Sequence, residues 1–322
     1  MATLKDVARE ANVSMMTASR VINTPDKVNL KTRQKIEKAM AALHYTPNVA
    51  AKNLVSKRVG VIDIYIPDSI DLSNPFVMHL IAGISETLSK HMYSFLILRN
   101  REKDHICDGY VVTGLLKHEI DDFYQYAQEH NRPIALFGHT DISEVDCIDV
   151  DNIAGAKMAT EYLIKKGHRK ILIVNVDEDK DYTTDRLEGY QLALQENGIP
   201  LSDNSVVYAA NNVKGGYAAA KDLLNSRNFT AIFCATDTIA LGVSRAVNES
   251  GLKVPDDISI VGFDGLGHQL LTTPHITTIQ QPIFEIGKML AQVLLDRING
   301  EENRISKLVE PTLIEEHSVS EN

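Results

Sequence analysis

Four polar residues and one aromatic stand where a ligand could be held. Arg186 opens a helical stretch in "DRLEGY", Asp237 follows an apolar run in "CATDTIALG", and Asp264 follows another in "GFDG". Asn74 and Phe76 share the loop "SNPF" after the first strand-like segment. An arginine with two carboxylates can bracket sugar hydroxyls, and an aromatic face can cover a sugar ring. Taken singly, each also fits a plainer role: Asp237 as a helix N-cap, Asp264 as a turn former, Arg186 as half of a surface ion pair. Gathered at one edge of the sheets, they predict a ligand cleft. Nothing predicts catalysis. The patterns G-x-x-x-x-G-K-[ST], G-x-G-x-x-G, G-x-S-x-G and H-E-x-x-H do not occur, so no enzyme is expected. The eleven histidines show no metal-ligand spacing, and His168 in "KKGHRK" reads as a surface-loop residue.

The elements that must position these residues are legible as alternation. "VGVIDIYI" (59–66), "SFLILR" (94–99), "DGYVVTG" (108–114), "PIALFG" (133–138) and "DCIDVD" (146–151) read as strands, with helical stretches at 78–90 and 120–129. The order then repeats. "KILIVNV" (170–176), "SVVYA" (205–209), "TAIFCATD" (230–237), "ISIVGFDG" (258–265) and "ITTIQQP" (276–282) alternate with helices near 154–166, 186–197, 215–225 and 238–251, and a last helix covers 284–297. Strands alternating with helices imply an α/β fold with parallel sheets covered on both faces, and two such sets imply two lobes. Ligands bind beyond the carboxyl ends of such strands, which places the site between the lobes.

Residues 1–58 differ. They carry eleven Lys and Arg against four acids, a net +7, while the remainder of this chain of net charge −10 carries −17. A basic head on an acidic body predicts that the head meets a polyanion; charge alone fits DNA or an anionic membrane surface. The local pattern points to DNA. Thr3 can cap a helix from Leu4 to Ala11, Asn12 suits a left-handed stop, and Ser14 can cap a second helix to Asn23. Pro25 and Asp26 break the chain, and Asn29 can cap a third helix from Leu30 to Leu43. Two short helices joined by a tight turn form a helix-turn-helix, whose second helix enters the major groove. Val13, Ala18, Val21 and Ile22 then face inward; Met15, Met16, Thr17, Ser19, Arg20 and Asn23 face outward. Arg20 can read guanine bidentately, while Thr17, Ser19 and Asn23 can bind phosphates or base edges. The two methionines suit thymine methyls, or else partial core packing. Pro47 can start a helix from Asn48 to Val55, too short to persist alone in water, on which Leu54 could wedge between base steps in the minor groove. A plain linker is the other reading of that segment.

The stretch from Thr3 to Leu54, "LKDVAREANVSMMTASRVIN" and then "TRQKIEKAMAALHYTPNVAAKNL", resembles the head of the lactose repressor (LacI/GalR) family of bacterial transcription regulators. "GHRKILIV", "RLEGYQLAL", "AIFCATDTIALG", "VPDDISIVGFDG" and "TTIQQPIFEIG" resemble that family's effector domain, which is similar to periplasmic sugar-binding proteins. The resemblance implies that Met15, Met16 and Arg20 read the operator, that Leu54 levers the minor groove, and that Asn48, Ala51 and Lys52 belong to a hinge helix. Thr3 completes the expected DNA-binding set. It also implies that Phe76, Arg186, Asp237 and Asp264 line the effector pocket, with Gln281 at a lobe crossing beside it. The chain departs from the family in four places. "PDSIDLSNPF" is three residues longer than the usual loop. Gly138 and His139 stand where many relatives carry Asp or Arg. Thr236 stands where relatives often carry Asn. Between Arg99 and Asp108 there are about eight residues, too few for the helical crossover that the family usually has. An extended link of that length spans about 26 Å, so the link is expected to run extended across the sheet and to leave one face thinly covered.

The expected organisation is a helix-turn-helix head at 1–46 and a hinge helix and linker at 47–58. A first lobe follows at 59–152 with 283–309, and a second at 153–282 with 310–322. The expected activity is sequence-specific transcription regulation as a repressor of a carbohydrate-utilisation operon. The partners are double-stranded operator DNA of pseudo-palindromic sequence, a second copy of the chain, and a sugar or sugar phosphate as effector; no cofactor and no metal are expected. The alternative is a regulator that needs a protein co-regulator for tight operator binding. The N-terminus has no apolar signal core and no run reaches membrane-spanning length, which predicts a cytoplasmic protein. Cys107, Cys147 and Cys234 are odd in number and far apart, which predicts free thiols.

Overall fold

The computed structural model describes residues 2–23, 28–46, 58–101, 105–202, 204–225 and 228–322, and at Asn23 the backbone alone. The chain forms two compact units, Met1–Gly60 and Val61–Asn322. In the first, α1 (Leu4–Glu10) starts at Thr3, which shares a reciprocal capping box with Asp6. Asn12 takes φ 49°, the left-handed conformation that an Asn accepts at little cost. The Ser14 hydroxyl accepts the Thr17 amide at 3.1 Å and opens α2 (Met15–Asn23). Asn29 caps α3 (Leu30–Ala42) by accepting the Thr32 amide at 2.8 Å. Val7, Ala8, Ala11, Ala18, Val21, Ile36 and Ala39 close a small core. The hinge positions Asn48, Ala51, Lys52 and Leu54 lie outside the described residues, as does the side chain of Asn23.

The second unit holds two six-stranded sheets. The first contains β1 (Val61–Tyr65), β2 (Ser94–Leu98), β3 (Gly109–Val112), β4 (Ile134–Phe137), β5 (Asp146–Val150) and β11 (Ser306–Val309), in the order β11-β5-β4-β3-β1-β2, all parallel. The second contains β6 (Ile171–Val176), β7 (Val206–Ala209), β8 (Ala231–Cys234), β9 (Ser259–Asp264), β10 (Thr277–Gln280) and β12 (Thr312–Ile314), in the order β12-β10-β9-β8-β6-β7, parallel except for β12. The helices are α4 (Pro75–Lys90) and α5 (Lys117–Glu129), then α6 (Asn152–Lys165), α7 (Asp181–Glu196), α8 (Val213–Leu224) and α9 (Asp237–Glu249), and finally α10 (Ile283–Ile298). The chain passes between the sheets three times: from β5 to α6, from β10 to α10, and from β11 to β12.

Helix α10 returns to the first sheet and packs on α4 at close range. A Cβ at Gly83 would lie 2.0 Å from the Phe284 carbonyl oxygen, so only hydrogen fits there. Gly83→Ala is therefore expected to force the two backbones apart, at about 3 kcal/mol. Urea unfolding of the full chain checks this.

The link from β2 to β3 is non-helical in its described residues, 99–101 and 105–108. It crosses β1, which lies between the two strands that it joins. Side chains take the place of an apolar helix face. His105 Nδ1 lies 3.1 Å from Oδ1 of Asp63, a fully buried carboxylate in mid-β1 whose pKa burial pushes up. Arg132 donates to the His105 carbonyl at 2.8 Å, and the Arg101 guanidinium lies over the rings of Phe123 and Tyr126. Leu96 and Ile106 remain exposed.

His168 corrects the surface-loop expectation. It is buried, with Nδ1 2.8 Å from Thr230 Oγ1 and Nε2 3.2 Å from the Ser320 carbonyl. Gly167, at φ 97°, turns the chain at the helix end, and the imidazole then ties the final residues to the second sheet. Its pKa is lowered by burial, which keeps the ring neutral. All three cysteines are free and buried. Among the described residues, no helix is long and apolar enough to cross a membrane.

Candidate functional site

The cleft between the two sheets encloses a cavity of about 830 Å³, walled by strand ends and helix starts from both lobes. Five of the six expected effector residues line it: Asn74, Phe76, Arg186, Asp264 and Gln281. Asn74 caps α4, accepting the Phe76 amide at 3.0 Å, and this cap aims Phe76 into the first-lobe wall. There Phe76 meets Phe137 edge to face, with ring centroids 5.0 Å apart.

Arg186 forms the floor. Its side chain is 4 % exposed, and burial lowers its pKa. The guanidinium carbon lies 3.7 Å from the centroid of the Phe263 ring and 4.8 Å from that of Tyr182. Nε donates to Asn152 Oδ1 at 2.9 Å and Nη1 to the Ala235 carbonyl at 2.6 Å. Nη1 also lies 3.9 Å from Asp264 Oδ1. Stacking and two fixed donors set the plane of the fork, so its remaining edge keeps one orientation toward the cleft.

Asp264 ends β9 at φ 141°, a costly conformation for a residue with a Cβ and a mark of a backbone fixed by its surroundings. Its Oδ1 accepts Gln281 Nε2 at 2.7 Å, and Oδ2 accepts the Asp237 amide at 3.3 Å. The carboxylate is reachable from the cleft, yet the walls around it strip solvent away, and its pKa rises to about 7. Burial is the first cause and the Asp237 charge the second, with Arg186 opposing both.

The structure sets Asp237 apart from the other five. It is fully buried as the first residue of α9, the N-cap being Thr236, and it does not line the cavity. Both of its oxygens are used internally: Oδ1 accepts the Thr278 hydroxyl at 2.6 Å and Oδ2 accepts the Gly265 amide at 2.8 Å. A Cβ at Gly262 would lie 2.2 Å from Oδ1, so this strand position must be glycine. Asp237 thus holds the ends of β9 and β10 in register beneath the floor. Burial raises its pKa to about 6.

Sequence reasoning missed several cleft residues: Asn152, Tyr182 and Phe137 in the lining, and Phe263 beneath Arg186. Tyr182 had a signal, standing four residues before Arg186 on one helix face. Asn152, in "DVDNIAG", opens a helix soon after a strand, as Asp237 does. Phe263 carries no such mark, because a strand phenylalanine reads as core.

In the head, Met15 and Met16 are 59 % and 65 % exposed, and Arg20 is exposed on the same helix. The methionines do not pack into the core; they present apolar surface on the helix that a helix-turn-helix lays in the major groove. Thr17 and Ser19 are half-buried, and Thr3 is spent on the cap of α1.

Comparison with known proteins agrees with both units. Residues 3–48 match the model of bacterial regulatory proteins of the lacI family, and residues 160–319 match a periplasmic binding protein-like domain. An uncharacterised HTH-type transcriptional regulator, YvdE of Bacillus subtilis, is 36 % identical over 301 residues, covering 93 % of each chain. The ribose operon repressor of Haemophilus influenzae is 33 % identical over 332 residues, covering 99 % of each. Among solved structures, a complex of the transcriptional regulator CelR with cellobiose superposes with a TM-score of 0.76 at 28 % identity, over 99 % of this chain and 100 % of that one. The lac repressor dimer bound to operator and an anti-inducer gives 0.74 at 26 % identity over 99 % of each. With a helix-turn-helix at its start, a two-lobed cleft behind it and relatives of this identity along nearly its whole length, the chain belongs to the LacI family of bacterial transcription regulators.

Proposed function

We propose that this protein is a cytoplasmic repressor of a carbohydrate-utilisation operon. It binds a pseudo-palindromic operator as a homodimer, and its hold on DNA is set by a sugar in the cleft. The observation that carries the reading is the floor of Arg186, Asp264, Gln281 and Asn152 beneath an aromatic wall, in a chain whose head exposes Met15, Met16 and Arg20. Oriented donors and acceptors below an apolar wall suit a ring with hydroxyls on its edge and C–H groups on its face. Eight carboxylates line the cavity against two cations, Lys180 and Arg186, and this balance favours an uncharged sugar over a sugar phosphate. The cellobiose complex and the ribose operon repressor among the relatives support the same class. Asp237 contributes by holding the floor in place. The head residues Met15, Met16 and Arg20 read bases, Thr17 and Ser19 hold phosphates, and the segment with Asn48, Ala51, Lys52 and Leu54 completes the grip in the minor groove.

Selection of duplexes from a random pool by the purified protein, repeated with neutral sugars and sugar phosphates, tests the reading. A palindromic site whose binding changes with a neutral sugar is expected; no enriched site, or a response confined to phosphates, overturns it. Arg20→Ala is expected to weaken binding to the selected site by about tenfold to a hundredfold while leaving nonspecific binding nearly unchanged, as a lost bidentate guanine contact would. Competition binding at fixed salt checks this.

A further inference from the structure

One rim of the cleft carries a set of charges that the floor does not use. His139 follows β4 in the first lobe, with Gly138 before it at φ 136°. Its imidazole lies between the lobes. Nδ1 is 3.6 Å from Asp149 Oδ2 in its own lobe, while across the cleft Nε2 is 3.6 Å from Asp181 Oδ1 and Nδ1 is 3.9 Å from Asp185 Oδ2, both on α7. Beside it, Lys117 of α5 crosses the same gap: Nζ donates to Thr184 Oγ1 at 3.0 Å and lies 3.6 Å from Asp181 Oδ1. Three carboxylates therefore surround one imidazole, two of them from the facing lobe. Lys117 also acts on Asp185, and Arg186 on the floor acts on Asp149.

We propose that His139 is a proton-gated clamp: as an imidazolium it bridges Asp149 of one lobe to Asp181 and Asp185 of the other, and loss of its proton lets the cleft open. This rests on the cleft being the effector site. Closure would then be linked to pH. The His139 pKa is raised from 6.5 to about 9, first by contact with Asp149 and further by the charges of Asp181 and Asp185, against the opposing effect of burial. Asp149 stays with His139 when the lobes part, so only the share due to Asp181 and Asp185 is lost on opening. A group whose pKa is higher in the closed form favours closure at low pH, and that contribution disappears as pH rises through about 9. Asp185, raised to about 6 chiefly by burial, acts in the same direction but at lower pH. The ring is half-exposed, and solvent screening limits the effect on effector affinity to roughly threefold to tenfold between pH 6.5 and 9.5.

The test uses the full-length protein in EDTA without effector, with a pair of spin labels placed across the cleft mouth on exposed helix positions. The wild type is expected to widen between pH 6.5 and 9.5, His139→Asn to be wide at both, and His139→Lys to stay narrow at both. A wild-type distance independent of pH, or an unchanged pH response in His139→Asn, overturns the clamp. Sugar titrations at the two pH values add the functional readout, with the wild type losing affinity and His139→Lys flat. Failure of every sugar to bind would refute the effector class, while the label distances would still decide the clamp.

Discussion

Replacing Arg186 with alanine is expected to abolish effector control and to destabilise the second unit. The guanidinium is sandwiched between Phe263 and Tyr182, and it satisfies the Asn152 side chain and the Ala235 carbonyl. Removing it leaves those two acceptors unpaired and takes the counter-charge from Asp264 and Asp237. Breaking a buried ion pair costs about 3–5 kcal/mol. The lower end applies here, because both carboxyls already lean toward their protonated forms. Effector affinity should fall about a hundredfold, the size of one lost charge-assisted donor in a desolvated site. Arg186→Lys should restore little, since an ammonium can neither stack between two rings nor hold two acceptors in a fixed plane. Calorimetric titration with the effector and urea unfolding separate the two effects. Unimpaired binding in Arg186→Ala would remove the residue from the site.

Asp264→Asn is expected to lower effector affinity by tenfold or more while raising stability at neutral pH. Asp264 and Asp237 are two carboxyls near one arginine; burial pushes both pKa values up, and the Asp237 charge raises that of Asp264 further. A carboxyl with a raised folded-state pKa favours the fold below its unfolded value of about 4, and that contribution is lost as pH rises through about 6 to 7. The wild type should therefore lose stability between pH 4 and 7 from this pair. Asn keeps an oxygen for Gln281, leaves one carboxylate for Arg186, and flattens that pH dependence. Unfolding curves at pH 5 and pH 8 for both proteins check the stability half. An unchanged slope against pH would mean that Asp264 does not titrate in this range. A gain in stability together with a loss of binding is the pattern of a site built under strain.

The fold was largely legible because its determinants are local and periodic. Caps at Thr3, Ser14 and Asn29 mark helix starts by their own chemistry, and alternating apolar runs with amphipathic stretches reveal two parallel sheets. The cleft was legible where a polar residue ends an apolar strand, as at Asp264, or starts or follows the start of the next helix, as at Asn74 and Arg186. Reading failed where a residue's role depends on what packs beneath it. Asp237 and Asp264 look alike in sequence, each following a strand, yet Asp237 is fully enclosed by Thr278 and Gly265, contacts made by segments far along the chain. His168 misled because the charges around it describe the loop and not the ring, which Gly167 turns inward. Phe263 and Asp63 were invisible for a related reason. A phenylalanine in a strand reads as core, and a lone acid in "VIDIY" reads as a break in pattern, until His105 is seen to cover it.

The three passages between the sheets also set an order of assembly. The first sheet needs β11 and its face needs α10, and both come from the last forty or so residues, whereas α6 through β10 form one unbroken stretch that lacks only the edge strand β12. On a ribosome, the lobe synthesised first therefore waits for a helix and a strand made near the end, while the second lobe waits only for an edge strand. The Leu80, Val111, Ala135 and Ile148 surface that α10 covers must wait, exposed, until about 150 residues beyond β5 have emerged. At synthesis rates of about 5–20 residues per second, that interval runs to roughly ten seconds or more, which makes the first lobe the part of the nascent chain that most needs shielding from aggregation.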